Sequence, residues 1–123
     1  MNEIGAIILD SAITVHKELG PGLLESAYRL ALKRELELRN LFVLMHIPVP
    51  LVYKEVDLGK GYEIDLLVEN EILIETKSCE AITPIYISQL LTYLKLNNKI
   101  LGYLINFNVV RLIDGFKRIV KNF

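Results

Sequence analysis

The sequence predicts an α/β fold, a β-sheet flanked by helices, and three observations predict it. Apolar residues recur at helical spacing before residue 40. Short β-prone runs, broken by Pro and Gly, occupy 41 to 77. A Thr-Pro helix start at 83–84 then leads into a continuously apolar stretch, Ile100 to Phe107.

Taken in order, Ile4, Ile7, Ile8, Val15 and Leu19 place an amphipathic helix over 3–19, stopped by Gly20-Pro21-Gly22. A second helix over about 22–39 is rich in Leu, Ala, Glu and Arg and stops at Asn40. So short a break makes the two a corner or hairpin. Phe42 to Ile47 and Leu51 to Val56 read as two strands parted by Pro48 and Pro50, and Leu58-Gly59-Lys60-Gly61 as a turn. Tyr62 to Val68 and Ile72 to Lys77 form a hairpin around Glu69-Asn70-Glu71. Thr83 caps a helix with Pro84 at its first position, which runs to about Leu96 and ends at Asn97-Asn98. Ile100 to Phe107 suits the centre of a sheet, because it is apolar on both faces. The tail, Val109 to Val120, makes one or two short strands, or a strand and a turn at Asp114-Gly115. The order is roughly α-α-β-β-β-β-α-β.

The 123 residues suit one domain, 1–123. A chain that is 52% hydrophobic and 24% charged is no disordered polyelectrolyte. Such apolar content in a small domain leaves material for an oligomer interface, with a homodimer as the expectation. No apolar run reaches the ~18 residues that span a bilayer, and the first residues lack a signal-peptide pattern. Cys79, the single cysteine, has no intramolecular disulfide partner, and no Cys/His cluster marks a zinc site. The expected setting is the cytoplasm, without membrane contact. Charge is unevenly spread: 62–80 carry six acidic residues and only Lys77, whereas 81–123 carry six Lys or Arg and only Asp114. An acidic centre beside a basic segment suits a cation site next to a polyanion surface.

Chemistry concentrates in Asp65 to Lys77. Alternation puts Glu75 and Lys77 on one face of their strand and Ile72, Ile74 and Thr76 on the other. Asp65 points away from the face of Ile64, Leu66 and Val68. A three-residue loop, Glu69-Asn70-Glu71, would pair Asp65 with Glu75 on a shared face; a two-residue loop would pair Asp65 with Ile74 and separate the acids unless a bulge intervened. Adjacent carboxylates repel, and a hard divalent cation between them removes that penalty. The plain alternative is a solvated strand face of alternating charges. Glu25 and Tyr28, at i and i+3, share a helix face, and a carboxylate in a first helical turn needs no further role. Gln89 and Tyr93 share a face of the later helix, where Tyr93 could equally be a boundary aromatic. His16 and His46 read first as ordinary structural histidines, and no base adjoins Cys79.

The run Val15 to Tyr28, with Gly22, Glu25 and Tyr28 as its defining pattern, resembles the signature of the GxxExxY protein family. Similarity continues through 61–68, 74–77, 89–95 and 104–107, hence through almost the whole chain. The family is similar to a compact branch of the PD-(D/E)XK nuclease superfamily. That resemblance implies a restriction-endonuclease-like core, a mixed four- to five-stranded sheet flanked by helices. It matches Asp65 to the acid of the second core strand, and Glu75, Thr76 and Lys77 to (D/E)XK. It matches Glu25 to the helix glutamate that completes the site, and Gln89 and Tyr93 to a QxxxY element. Ile64 stands where the superfamily's name has Pro. Glu63, Ile64 and Thr76 stand where the family often has a basic, a small and an aliphatic residue; Glu63 would add an acid on the Asp65 face.

The implied activity is hydrolysis of nucleic acid, expected to be DNA, dependent on Mg²⁺ or Mn²⁺. Asp65, Glu75 and Glu25, with the Thr76 carbonyl, would be the metal ligands. Lys77 would orient water and stabilise developing charge, and Gln89 and Tyr93 would position phosphate or ligands. Lys95, Lys99, Arg111, Lys117 and Arg118 are candidate phosphate contacts, which position without specifying sequence. The competing reading is a catalytically inactive module that keeps the fold and binds nucleic acid or protein.

Overall fold

The computed structural model of the chain describes residues 2–59 and 61–122. Its elements are α1 (Asn2–Leu19), α2 (Glu25–Leu38), β1 (Val43–Pro48), β2 (Val52–Tyr53), β3 (Val56–Asp57), β4 (Glu63–Val68), β5 (Ile72–Lys77), α3 (Pro84–Leu96), β6 (Leu101–Asn106), a 3₁₀ turn (Leu112–Gly115) and β7 (Phe116–Val120). Five strands form one mixed sheet in the order β1-β4-β5-β6-β7. β5 and β6 run parallel, joined by the crossover through α3, and the other neighbours are antiparallel. The sheet separates two cores. Ile8, Ala12, Tyr28, Leu32 and Leu36 of α1 and α2 pack on one side, and Leu90, Tyr93 and Leu94 of α3 on the other. Every residue of β6 is buried, as an apolar strand flanked on both faces requires. Among the described residues no helix is long and apolar enough to cross a membrane.

Several expectations change. Helix α2 starts at Glu25, because Gly20 and Gly22 hold left-handed φ of 73° and 97° and keep the chain out of the helix until Leu24. The run Leu51 to Val56 is two two-residue strands, not one. Lys54 and Glu55 both take positive φ, 47° and 73°, which is the tight hairpin turn usually built from Asn and Gly. The expected turn at 58–61 includes Lys60, which lies outside the described residues; Gly59 and Gly61 beside it are both left-handed.

The β4–β5 hairpin has the three-residue loop, with Val68 opposite Ile72 and Leu66 opposite Ile74. Beyond that pair the regularity ends, and β1 shows the same break. Met45 pairs Leu66 and Ile47 pairs Ile64, but His46, opposite Asp65, has φ of 59° and drops out of the ladder. The faces exchange at this point. Met45 and Leu66 pack with the α1–α2 core, whereas Ile47 and Ile64 pack with the α3 core, although strict alternation would keep all four together. The expected common face of Ile64, Leu66 and Val68 is therefore broken between Ile64 and Leu66. Such a local irregularity re-aims the side chain that it carries. Here that side chain is Asp65.

Under β6, Gly115 of the 3₁₀ turn lies so close to Asn106 that a β-carbon would sit 2.1 Å from the Asn106 carbonyl oxygen. Gly115→Ala is expected to cost about 1–3 kcal/mol of stability, in the range of an overpacked core, measured as a lowered denaturation midpoint at unchanged slope.

Candidate active site

Where the ladder stops, side chains replace carbonyls as partners of the backbone. The Asp65 amide donates to Glu75 Oε1 at 3.0 Å, and the Thr76 amide donates to Asp65 Oδ2 at 2.8 Å. Thr76 Oγ1 donates to the same oxygen at 2.9 Å. The carboxylates thus interlock in the gap between β4 and β5. Asp65 leans towards α2, where Arg29 Nη1 lies 3.3 Å from its Oδ1. Glu75 alternates with Leu73, which packs in the α3 core, so it belongs to the other side of the sheet. The acids meet through the gap, not side by side on one face as the pairing rule alone predicts.

Glu75 is 6% exposed. Burial first, and then the Asp65 charge, push its carboxyl from the ordinary 4.5 up to about 8, against the opposing pull of the Asp65 amide and Lys77. Lys77 keeps to the Glu75 side, its ammonium 4.5 Å from the Tyr86 ring centroid on α3. Tyr93 is nearly buried on α3, and burial followed by the charge of Glu75 raises its phenol pKa. Gln89, one turn earlier, shares a groove wall with Tyr93.

Glu25 approaches differently. Its Oε1 accepts from the Ser78 amide at 3.5 Å, just past the end of β5, while Ser78 Oγ donates to the Leu23 carbonyl at 2.6 Å. Among the described residues no group of three or more His, Cys, Asp or Glu side chains is spaced to hold an ion. Asp65 and Glu75 nevertheless fit a hard cation chemically: both offer oxygen, and a divalent charge would offset the burial and the Asp65 charge that together keep a proton on Glu75. Glu63 is exposed and pairs with His46 Nδ1 at 3.1 Å.

Tyr28 has a structural task. Fully buried and stacked on Phe107 at 4.5 Å between centroids, its hydroxyl donates to the Gly20 carbonyl and accepts from the Leu23 amide. It clasps the glycine loop that delivers Glu25. His16 is also structural: Nε2 lies 2.8 Å from the Val109 carbonyl, which can only accept, so that nitrogen carries the proton. Burial raises the Cys79 thiol pKa, which leaves it unsuited to nucleophilic attack.

Two contributors escaped the sequence reading. Arg29 lies one helical turn after Glu25, a spacing that could have flagged it, and its Nε is buried without a partner. Asn106 is 2% exposed and clamps the loop after β5, accepting from the Cys79 amide and donating to the Cys79 carbonyl. The proposed phosphate contacts divide. Lys117 lies opposite Leu104, which is itself opposite Glu75, so it is level with the site across β6, and Arg118 follows it. Lys99 precedes β6, whose Leu101 pairs Ile72, and it borders Asn70 and Glu71 at the hairpin end. Lys95 ends α3 near it. Those two lysines are at the far end of the sheet from Lys77. Arg111 is exposed beside Asp114.

A family model described as the PD-(D/E)XK nuclease superfamily matches residues 2–119. No curated protein and no solved structure gives a significant match.

The buried acid sets the sign of a pH effect. Between 4.5 and about 8 the unfolded chain has lost the Glu75 proton and the folded chain keeps it, so this group makes stability fall as pH rises through that window. Glu75→Gln keeps the acceptor for the Asp65 amide and removes the titration. In EDTA the variant is expected to be more stable at pH 8 by on the order of a few kcal/mol and to show a flatter pH profile, read by urea denaturation at pH 5 and 8.

Proposed function

As the chain belongs to the PD-(D/E)XK nuclease superfamily, we propose that it hydrolyses phosphodiester bonds of nucleic acid, DNA foremost, with a divalent metal ion, Mg²⁺ or Mn²⁺. The observation that carries the reading is the interlocked pair at the ladder break. Asp65 and Glu75 are held close together by backbone amides, and a cation offsets the like charges they carry when both are ionised. Both would hold the ion, with Glu25 reaching it from the Ser78 end, directly or through water, and the Thr76 carbonyl as a further oxygen. Bound there, the cation supplies charge neutralisation and activates water for attack on phosphorus.

This chain's residues do the rest. The Lys77 ammonium lies on the Glu75 side of the sheet, packed on Tyr86. It orients the attacking water and offsets charge on the phosphoryl oxygens. Tyr93, its proton held tightly by burial, is a hydrogen-bond donor at neutral pH. Gln89 flanks it as a positioning group. Arg29 neutralises Asp65 and fixes the direction of its carboxylate. Lys117 and Arg118, exposed on β7, attract the backbone without reading bases.

Arg29 also favours a second reading, a binding module without catalysis, because an internal cation already balances Asp65. Incubation with single- and double-stranded DNA and RNA in Mg²⁺, Mn²⁺ or EDTA separates the two. Cutting is expected with metal only, and Asp65→Asn, Glu75→Gln and Lys77→Met should each lower its rate about a hundredfold or more. Binding with a steep salt dependence and no cutting under any metal would establish the module instead.

A further inference from the structure

A groove of about 510 Å³ opens between α3 and the start of β4, on the Lys77 end of the sheet. Val49, Leu51 and Leu58 are among its apolar lining, and Tyr62, Gln89 and Tyr93 are among the residues that bring polar atoms to it. Among the described residues, none that lines it carries a charge. Tyr93 joins this groove to the acid pair, since it lines the groove with Tyr62 and packs in the same core as Leu73, whose strand face Glu75 shares. Tyr62 is 54% exposed, yet its backbone is anchored, its carbonyl accepting from the Val49 amide at 2.9 Å. A large ring left in solvent on a fixed backbone, at the edge of a hollow whose described lining is uncharged, offers a flat apolar face to something else.

Phosphates do not suit such a hollow, because they require cations or oriented amide groups. A duplex presents phosphates and keeps its bases stacked inside, whereas a single strand has free base faces that stack on aromatic rings. We infer that this groove takes one unstacked base of a single-stranded nucleic acid, with Tyr62 as its stacking platform and Gln89 as the hydrogen-bonding group at its edge. The inference rests on the nuclease reading only for placing the adjoining phosphodiester at Asp65 and Glu75; capture of the base is a binding property in its own right.

Binding measured by fluorescence anisotropy in EDTA tests it, with a short single-stranded DNA, an abasic strand of the same length and a blunt duplex as probes. The single strand is expected to bind at least about tenfold tighter than the other two, and Tyr62→Ala to remove that advantage while Tyr62→Phe keeps it. Equal affinity for the single and abasic strands, or no loss in Tyr62→Ala, would overturn the inference. A parallel Mg²⁺ cleavage assay keeps the two ideas apart. Cutting without base-dependent binding removes the groove's role and leaves the nuclease, and base-dependent binding without cutting does the reverse.

Discussion

Two backbone amides that lose their carbonyl partners organise this molecule's chemistry. At Asp65 and Thr76 the ladder between β4 and β5 has no regular pairing, and a buried N–H without an acceptor is costly. Each amide is satisfied by the carboxylate of the opposite strand. The acids are therefore part of the sheet's own hydrogen bonding. Neither can turn to solvent without stranding an amide, so both stay in the gap despite their mutual repulsion. The exchange of faces at His46 and Asp65 is the same event seen in the apolar residues: Ile47 and Ile64 go to one core, Met45 and Leu66 to the other.

The surroundings serve that gap. The Gly20–Leu23 loop is locked by the Tyr28 hydroxyl and tied to Ser78, which sets Glu25 beside the end of β5. Asn106 clamps the next segment through Cys79, and Gly115 has no side chain because Asn106 fills the space. Tyr28 and Asn106 hold the loops that flank Glu25 and the end of β5. On the α3 side, Lys77 and Tyr93 meet Glu75 with opposite effects, the ammonium favouring its charge and the buried surroundings opposing it. For Glu75 burial outweighs the rest, and its carboxyl is held near neutrality at physiological pH. A nuclease reading and a binding-module reading differ on whether a metal ion or Arg29 answers the charge that remains in the gap.

Much was legible in the chain because it depends on local pattern. Helical spacing located α1, the Thr-Pro pair located α3, uninterrupted apolarity marked β6, and Glu69-Asn70-Glu71 located the hairpin turn, whose three-residue register the structure decided between two readings. Asp65, Glu75 and Lys77 were legible as a spacing, and Gly22, Glu25 and Tyr28 as a motif. The Lys54-Glu55 turn was not, since neither residue advertises positive φ. Arg29 and Asn106 were not assigned roles, because the partners that define them are 36 and 27 residues away, respectively.

The amino-acid order by itself determined which elements form and which acids are candidates to approach, because periodicity and turn residues act over a few residues. Only the tertiary structure decided how the acids approach. Alternation predicts one shared face, but the ladder breaks at His46 and Asp65, where the apolar residues pass from the core under α1 and α2 to the core under α3. The carboxylates then meet through the opening, and burial between layers raises the pKa of Glu75. Those are properties of three segments in contact, and no stretch of sequence contains them.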